Sequence, residues 1–206
     1  MKKLILTLTL IVSSVASAQT NYELEMSNAF KAWQNGNDKA IEQFQKVATQ
    51  FPKERLPHYY LAFTQTLKSF EETNPIKKED LIDAAKIIIA QLEKDDPTNE
   101  EVLNLKALNL SSEIMLNPMM NGFALMEEVQ AVYAKAKLLN PNNPRTILGQ
   151  AEFNIGASKF VGGDITNDCK AVEKALALFA TEQTGKFEPS WGKDRAEMIL
   201  NNDCKK

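Results

Sequence analysis

The stretch AKIIIAQLEKDDP, Ala85 to Pro97, carries a spacing that the chain writes three times. Ala85, Ile89, Leu92 and Pro97 match Ala40, Phe44, Val47 and Pro52, and again Val129, Tyr133, Ala136 and Pro141. Steps of four and then three put the three apolar positions on one face of a helix. The proline five residues on lacks an amide donor and disfavours helical geometry in the residue before it, so it closes each helix. Three registers in agreement define a repeat of returning helices, each needing a partner helix to bury its apolar face.

Working outward, the N-terminal end has the marks of an export signal. Met1, Lys2 and Lys3 are followed by an apolar run from Leu4 to Val12 and by Ala16-Ser17-Ala18, which suits cleavage after Ala18. The run is shorter than the roughly 20 residues that span a bilayer. Residues 1–18 are therefore read as a signal peptide and 19–206 as one helical repeat domain, exported to the periplasm with no membrane span after cleavage. No cysteine stands at the cleavage site for lipid attachment, so a lipoprotein is not expected. The formal charge of the whole chain is −3, which gives nucleic acid no basic stripe to bind. Cys169 and Cys204 are the two cysteines, and in an oxidising compartment the pair is expected to form a structural disulfide.

Tyr22, Met26, Phe30 and Trp33 make a first amphipathic helix, and Asn37 or Asp38 is placed to cap the second. A second unit opens at Leu56-Pro57 with Tyr59, Tyr60, Phe63 and Leu67 at helical spacing. Its connection is expected to run from Ser69 to Lys78, before a returning helix over 79–94. The third unit pairs Val102, Leu105, Leu108 and Ile114 with a helix over 123–139, and the fourth pairs Ile147, Leu148, Ala151 and Ile155 with one over 165–181. Pro189-Ser190-Trp191-Gly192 is expected to start a last helix reaching Asn202. The sum is an all-α chain of about nine helices without a strand.

Successive frame prolines are 45 and 44 residues apart, longer than the roughly 34 of a tetratricopeptide repeat. The order small, large, small, proline nevertheless matches the second helix of that repeat, and the added length is assigned to the hairpin connections. The expected architecture is a tetratricopeptide-like solenoid of helical hairpins, a right-handed α-α superhelix. Asn143-Pro144-Arg145, Leu148-Gly149-Gln150, Gly162-Gly163-Asp164, Pro189-Ser190-Trp191-Gly192 and the two cysteines resemble a group of small exported tetratricopeptide-like proteins of bacterial cell envelopes. That resemblance implies a periplasmic helical repeat protein, generally without an assigned activity.

Few residues suggest chemistry. His58 is the single histidine, and nothing near it in sequence completes a nucleophilic or zinc motif, so neither an enzyme nor a cofactor or metal is expected. Met115, Met119, Met120 and Met126 crowd one hairpin turn. Thioethers bind copper(I), but no histidine or cysteine stands alongside, and the methionines are read as gap-filling core. Gly162-Gly163-Asp164 lacks the strand and lysine of a phosphate loop and is read as a turn. Trp191 is expected to pack the last helix.

The function these features favour is a non-enzymatic scaffold or adaptor that binds an envelope protein segment or peptide in a concave groove. The groove-facing positions of the first helices fall on Tyr59, Phe63, Asn104, Ser111, Gln150 and Asn154. The alternative is a small-molecule binder for glycan or peptidoglycan fragments, with Tyr59 and Phe63 as its stacking platform.

Overall fold

The computed structural model describes residues 20–205; the expected signal peptide and its cleavage site lie outside them. Nine helices and no strand occur among the described residues. They are α1 (20–33), α2 (Asn37–Gln50), α3 (Arg55–Glu71), α4 (Pro75–Asp95), α5 (Glu100–Ile114), α6 (Pro118–Leu139), α7 (Pro144–Val161), α8 (Thr166–Phe179) and α9 (Lys193–Asn202). None of these helices is long and apolar enough to cross a membrane.

All nine apolar positions of the repeated frame are buried, from Ala40 and Phe44 to Tyr133 and Ala136. α2, α4 and α6 stop at Gln50, Asp95 and Leu139, two residues ahead of Pro52, Pro97 and Pro141. At each stop the residue before the proline turns its N–H back to the last frame position: Phe51 to Val47, Asp96 to Leu92, Asn140 to Ala136. One local rule thus ends three helices and leaves the chain aimed at the next hairpin.

The added repeat length sits in the helices and not, as the sequence suggested, in the connections. α4 has 21 residues and α6 has 22, each starting at a proline. Asn74 and Asn117 accept backbone N–H bonds as N-caps, so Asn74-Pro75 and Asn117-Pro118 open helices where a break was expected. Only three residues separate α3 from α4 and α5 from α6. The first hairpin is also capped otherwise than expected. Gly36 stands at the N-cap of α2 with φ of 104°, while Asn37 Oδ1 accepts the Trp33 indole N–H.

Consecutive helices pack as hairpins, and α3, α5 and α7 also touch one another, forming an inner row. α1 joins this row through rings: Phe30 lies edge-on to Tyr60, and Trp33 to Phe63. Buried polar pairs bind the row from inside. Asn109 of α5 donates to Thr66 Oγ1 of α3 at 3.2 Å, and Thr146 of α7 donates to Asn104 Oδ1 of α5 at 2.8 Å. Such bonds cost little when complete and much when broken, so they fix the stacking of successive units.

At the C-terminal end, α7, α8 and α9 share a core of Ile147, Leu148, Val172, Phe179 and Ile199. Cys169 at the start of α8 and Cys204 just past α9 are bonded, with their Cα atoms 5.7 Å apart. Gly162 ends α7 in the left-handed conformation, and Asp164 Oδ1 accepts the N–H and hydroxyl of Thr166, the first residue of α8, so this segment is the expected interhelical turn.

Candidate functional site

Two surfaces of the molecule bear on binding, and they differ in what covers them. The first is the inner row, where the sequence placed a groove. Between α8 and α9 the chain leaves helical geometry over 180–192 and runs across the row from α7 back to α1. Near α7, Arg145 forms a double hydrogen bond to Glu182 and a 2.8 Å bond from Nε to Glu101. Over α3, the Trp191 ring stacks on Phe63 with centroids 4.6 Å apart, and its indole N–H donates to Tyr59 Oη at 3.0 Å. Arg55 holds both oxygens of Glu188. At α1, Phe187 stacks on Phe30 and meets Tyr22 edge-on, while Lys186 reaches Glu23 at 2.6 Å. Residues 182–192 are a strap.

Electrostatics at the strap follow from burial. Arg145 is only 4% exposed, yet its proton is held more tightly than usual. Burial works against its charge and is outweighed by Glu182 and Glu101. Burial raises the Glu101 carboxyl above its ordinary range, opposed by Arg145 and by a bond from Asn143. Glu101 Oε2 has no hydrogen-bond partner. A guanidinium facing two carboxylates from different elements is a planar fork with matched acceptors, which orients the strap as well as attracting it.

The strap decides where the expected groove residues lie. Tyr59 and Phe63 are interior, 0% and 2% exposed, because Trp191 covers them. Neither ring is open to stack a sugar or a peptide. Asn104 is buried as well, held between Thr146 and Asn143. Half-buried Ser111 bonds to the carbonyl of Ala107 on its own helix. Gln150 and Asn154 are half-buried and joined through Gln130 of α6, and Asn154 also donates to Asp168 of α8 at 2.9 Å. The six therefore do not form one open surface. Trp191 belongs to the strap and not to the packing of α9, and α9 starts at Lys193, later than expected. His58 is partly covered, with Nε2 buried and unpartnered on α3.

The second surface is open. α6 and α7 approach so closely at one point that a Cβ on Gly149 would lie 2.6 Å from Tyr133 Oη. One turn further along α6, Gln130 donates to Asn154 at 2.7 Å. Helical register carries the same side of α6 on to Met126, Phe123 and Met119, and the same side of α7 on to Val161. These residues are exposed: Phe123 89%, Val161 79%, Met119 65%, with Met120 at 69% and Phe160 at 69% beside them. Met115 in the α5–α6 turn and Met126 are exposed too. The methionines are thus not the core filling that their position at a proline break suggested. α6 begins at Asn117-Pro118 as a capped start, and the side chains of its first turns stand exposed. From Ile114 to Met126 there is no charged residue.

Among the described residues no cluster of histidine, cysteine or carboxylate side chains is arranged to hold a metal. The molecule is an all-helical stack of hairpins, with its inner row strapped and one apolar face uncovered. No family model and no curated protein matches the chain. Among solved structures its fold is similar to that of the HusA haemophore from Porphyromonas gingivalis, with a TM-score of 0.74 at 20% identity, over 88% of this chain and 90% of that one. At that identity the likeness is one of fold.

Proposed function

We propose that this protein is a non-enzymatic, exported binding protein that carries a flat apolar ligand of the haem type on the methionine–phenylalanine face of α6 and α7. The observation that carries this reading is the exposed set Met119, Met120, Phe123 and Met126 on a charge-free stretch of α6, with exposed Phe160 and Val161 at the end of α7. Scattered exposed apolar residues are ordinary, whereas a contiguous apolar patch marks a binding surface. Methionine suits an adaptable contact with a large flat molecule, since its side chain is unbranched and polarizable.

The thioether is also an established axial ligand class for haem iron. His58 sits on α3 with its free nitrogen buried, so iron contacts on this face fall to methionine sulfur. Lys159, next to Phe160 and half exposed, is paired with Asp203 at the edge of the face, and a ligand carboxylate there would have to share or displace that partner. The similarity in fold to a protein named as a haemophore supports the choice of ligand class. A bound disulfide and the expected signal peptide support export. A protein segment as ligand is favoured by a different observation, the strapped row, and would use other residues.

Titration of the mature protein with haem, followed by visible absorbance, tests the reading. Saturable binding is expected, weakened about tenfold or more by Met119→Ser with Phe123→Ser. Iron-free protoporphyrin is expected to bind at the same face but more weakly, separating apolar burial from sulfur ligation. Equal affinity of variant and wild type, or no saturable binding, would remove the proposal.

A further inference from the structure

We infer that the strap is a removable occupant of the inner row, and that the surface beneath it receives an extended partner segment carrying the strap's own chemistry, an aromatic residue three positions after a carboxylate. This inference uses none of the residues of the methionine face and stands or falls separately from it.

Four observations carry it. Side chains hold the strap, and its backbone hardly does: over 182–191 the one backbone–backbone hydrogen bond among the described residues runs from the Glu188 N–H to the Gly185 carbonyl, and at the strap's end the Gly192 carbonyl accepts from Ala196 in the first turn of α9. A segment without ladder or helix bonds can leave without breaking those of its neighbours. Both flanks border open clefts. A cleft of about 420 Å³ opens on one side between the strap and the starts of α5 and α7, and another of about 420 Å³ on the side of α1, lined by Ser27, Phe30 and Tyr60. Both clefts are open to solvent, so water reaches the strap from either flank.

Backbone strain adds to the case. Phe187 is held at a φ of 62°, the left-handed region that a non-glycine residue rarely adopts, so lifting the strap relieves strain at the ring that stacks on Phe30. Finally, the two helices that the strap connects are held to each other without it. The Cys169–Cys204 bond joins the start of α8 to the end of α9, at the ends remote from the strap, so the strap can swing out as a loop while those helices keep their places.

What the strap touches states what the row selects. Arg55 takes a carboxylate, Phe63 takes the face of an aromatic ring, Tyr59 accepts its N–H, and Arg145 takes a second carboxylate nearer α7. With the strap lifted, two arginines and an aromatic shelf lie along one line of helices. An extended acidic segment with one large aromatic ring satisfies them, by charge pairing for register and ring burial for affinity.

The test uses the whole mature chain and a synthetic peptide of residues 182–192. Hydrogen exchange on wild type comes first: amides of 185–192 are expected to exchange by an opening far easier than the one that exposes α3 and α5. In a fluorescence binding assay, the peptide is expected to bind the Glu188→Ala/Trp191→Ala chain about tenfold or more tightly than wild type, where the strap competes. A peptide with the same composition in scrambled order is expected to bind neither. Should the double variant not fold, Trp191→Phe keeps the ring on Phe63, loses the bond to Tyr59, and is expected to bind more tightly than wild type. Strap amides that exchange only with α3 and α5, or a peptide that binds no folded strap variant, would overturn the inference.

Discussion

The inner row and the α6–α7 face are both rich in large apolar side chains, and they have opposite fates. Every ring–ring contact among the described residues lies in one cluster, running from Tyr22 through Phe44, Tyr60 and Phe63 to Trp191. That cluster is closed over by the chain itself. The methionines and phenylalanine at the start of α6 have no such cover, and Phe123 is 89% exposed. Residue type alone thus does not separate a core from a binding surface. What separates them is whether another element returns to bury the face, and here one element of eleven residues, the strap over 182–192, returns to a single side.

If the strapped side is stabilised from within, its buried ion pairs are where the molecule is most sensitive. Arg145→Ala would leave Glu101 and Glu182 without their shared cation in a buried site and is expected to cost about 3–5 kcal/mol in a denaturant melt. Arg55→Ala removes a pair that is 30% and 41% exposed and is expected to cost about 0–1 kcal/mol. Similar losses for the two would mean that the Arg145 network is solvated and the strap only lies on the surface.

A smaller effect tests the frame on which both regions are hung. Ala85 is fully buried, and Ala85→Phe is expected to overpack its contact by about 1–3 kcal/mol. Lys86, one residue round the helix, pairs with Glu113 at the surface, so Lys86→Phe is expected to cost about 0–1 kcal/mol. Equal costs would contradict the register of α4.

The closed aromatic side also has a pH signature. Burial, with Glu54 and Glu188 nearby, pushes the Tyr22 hydroxyl up to about 12 from its ordinary 10.0. Burial raises Tyr59, Tyr60 and Tyr133 as well. A folded-state value above the unfolded one gives stability that is complete below the unfolded value and lost as pH climbs through the folded one. Stability is therefore expected to hold to about pH 10 and to fall from there towards pH 12, with tyrosinate absorbance lagging that of urea-unfolded protein. Coincident absorbance curves would show that the rings are open to water.

The smallest stability change is expected on the open face. Met119→Ser with Phe123→Ser replaces two exposed side chains and is expected to move the melt by no more than about 0.5 kcal/mol, against the roughly tenfold weakening of haem binding that the proposed function expects of it. A large loss of stability would show that the face is covered in solution.

The helices were legible in the sequence because their determinants are local. Positions such as Ala40, Phe44 and Val47 follow a helical period, and a proline two residues past the ends of α2, α4 and α6 writes the stop into the same stretch. The disulfide was legible from compartment and count. Asn74-Pro75 and Asn117-Pro118 misled because a break and a capped helix start use the same two residues, and only packing distinguishes them. The strap was not legible. Its partners are remote, with Trp191 and Tyr59 132 residues apart and Lys186 and Glu23 163 apart, and its own stretch has no period to read. Without it, Tyr59 and Phe63 read as groove residues, and the exposed methionines read as core because that side chain serves either place equally well.

Methionine methyl and tryptophan indole resonances, recorded together by NMR during haem addition, test the central claim most directly, because they report the two regions in one sample. The account expects the methyl signals of Met119, Met120 and Met126 to shift or broaden while the Trp191 indole signal stays in place. Movement of the Trp191 signal with unmoved methionine methyls would contradict it and put the ligand under the strap.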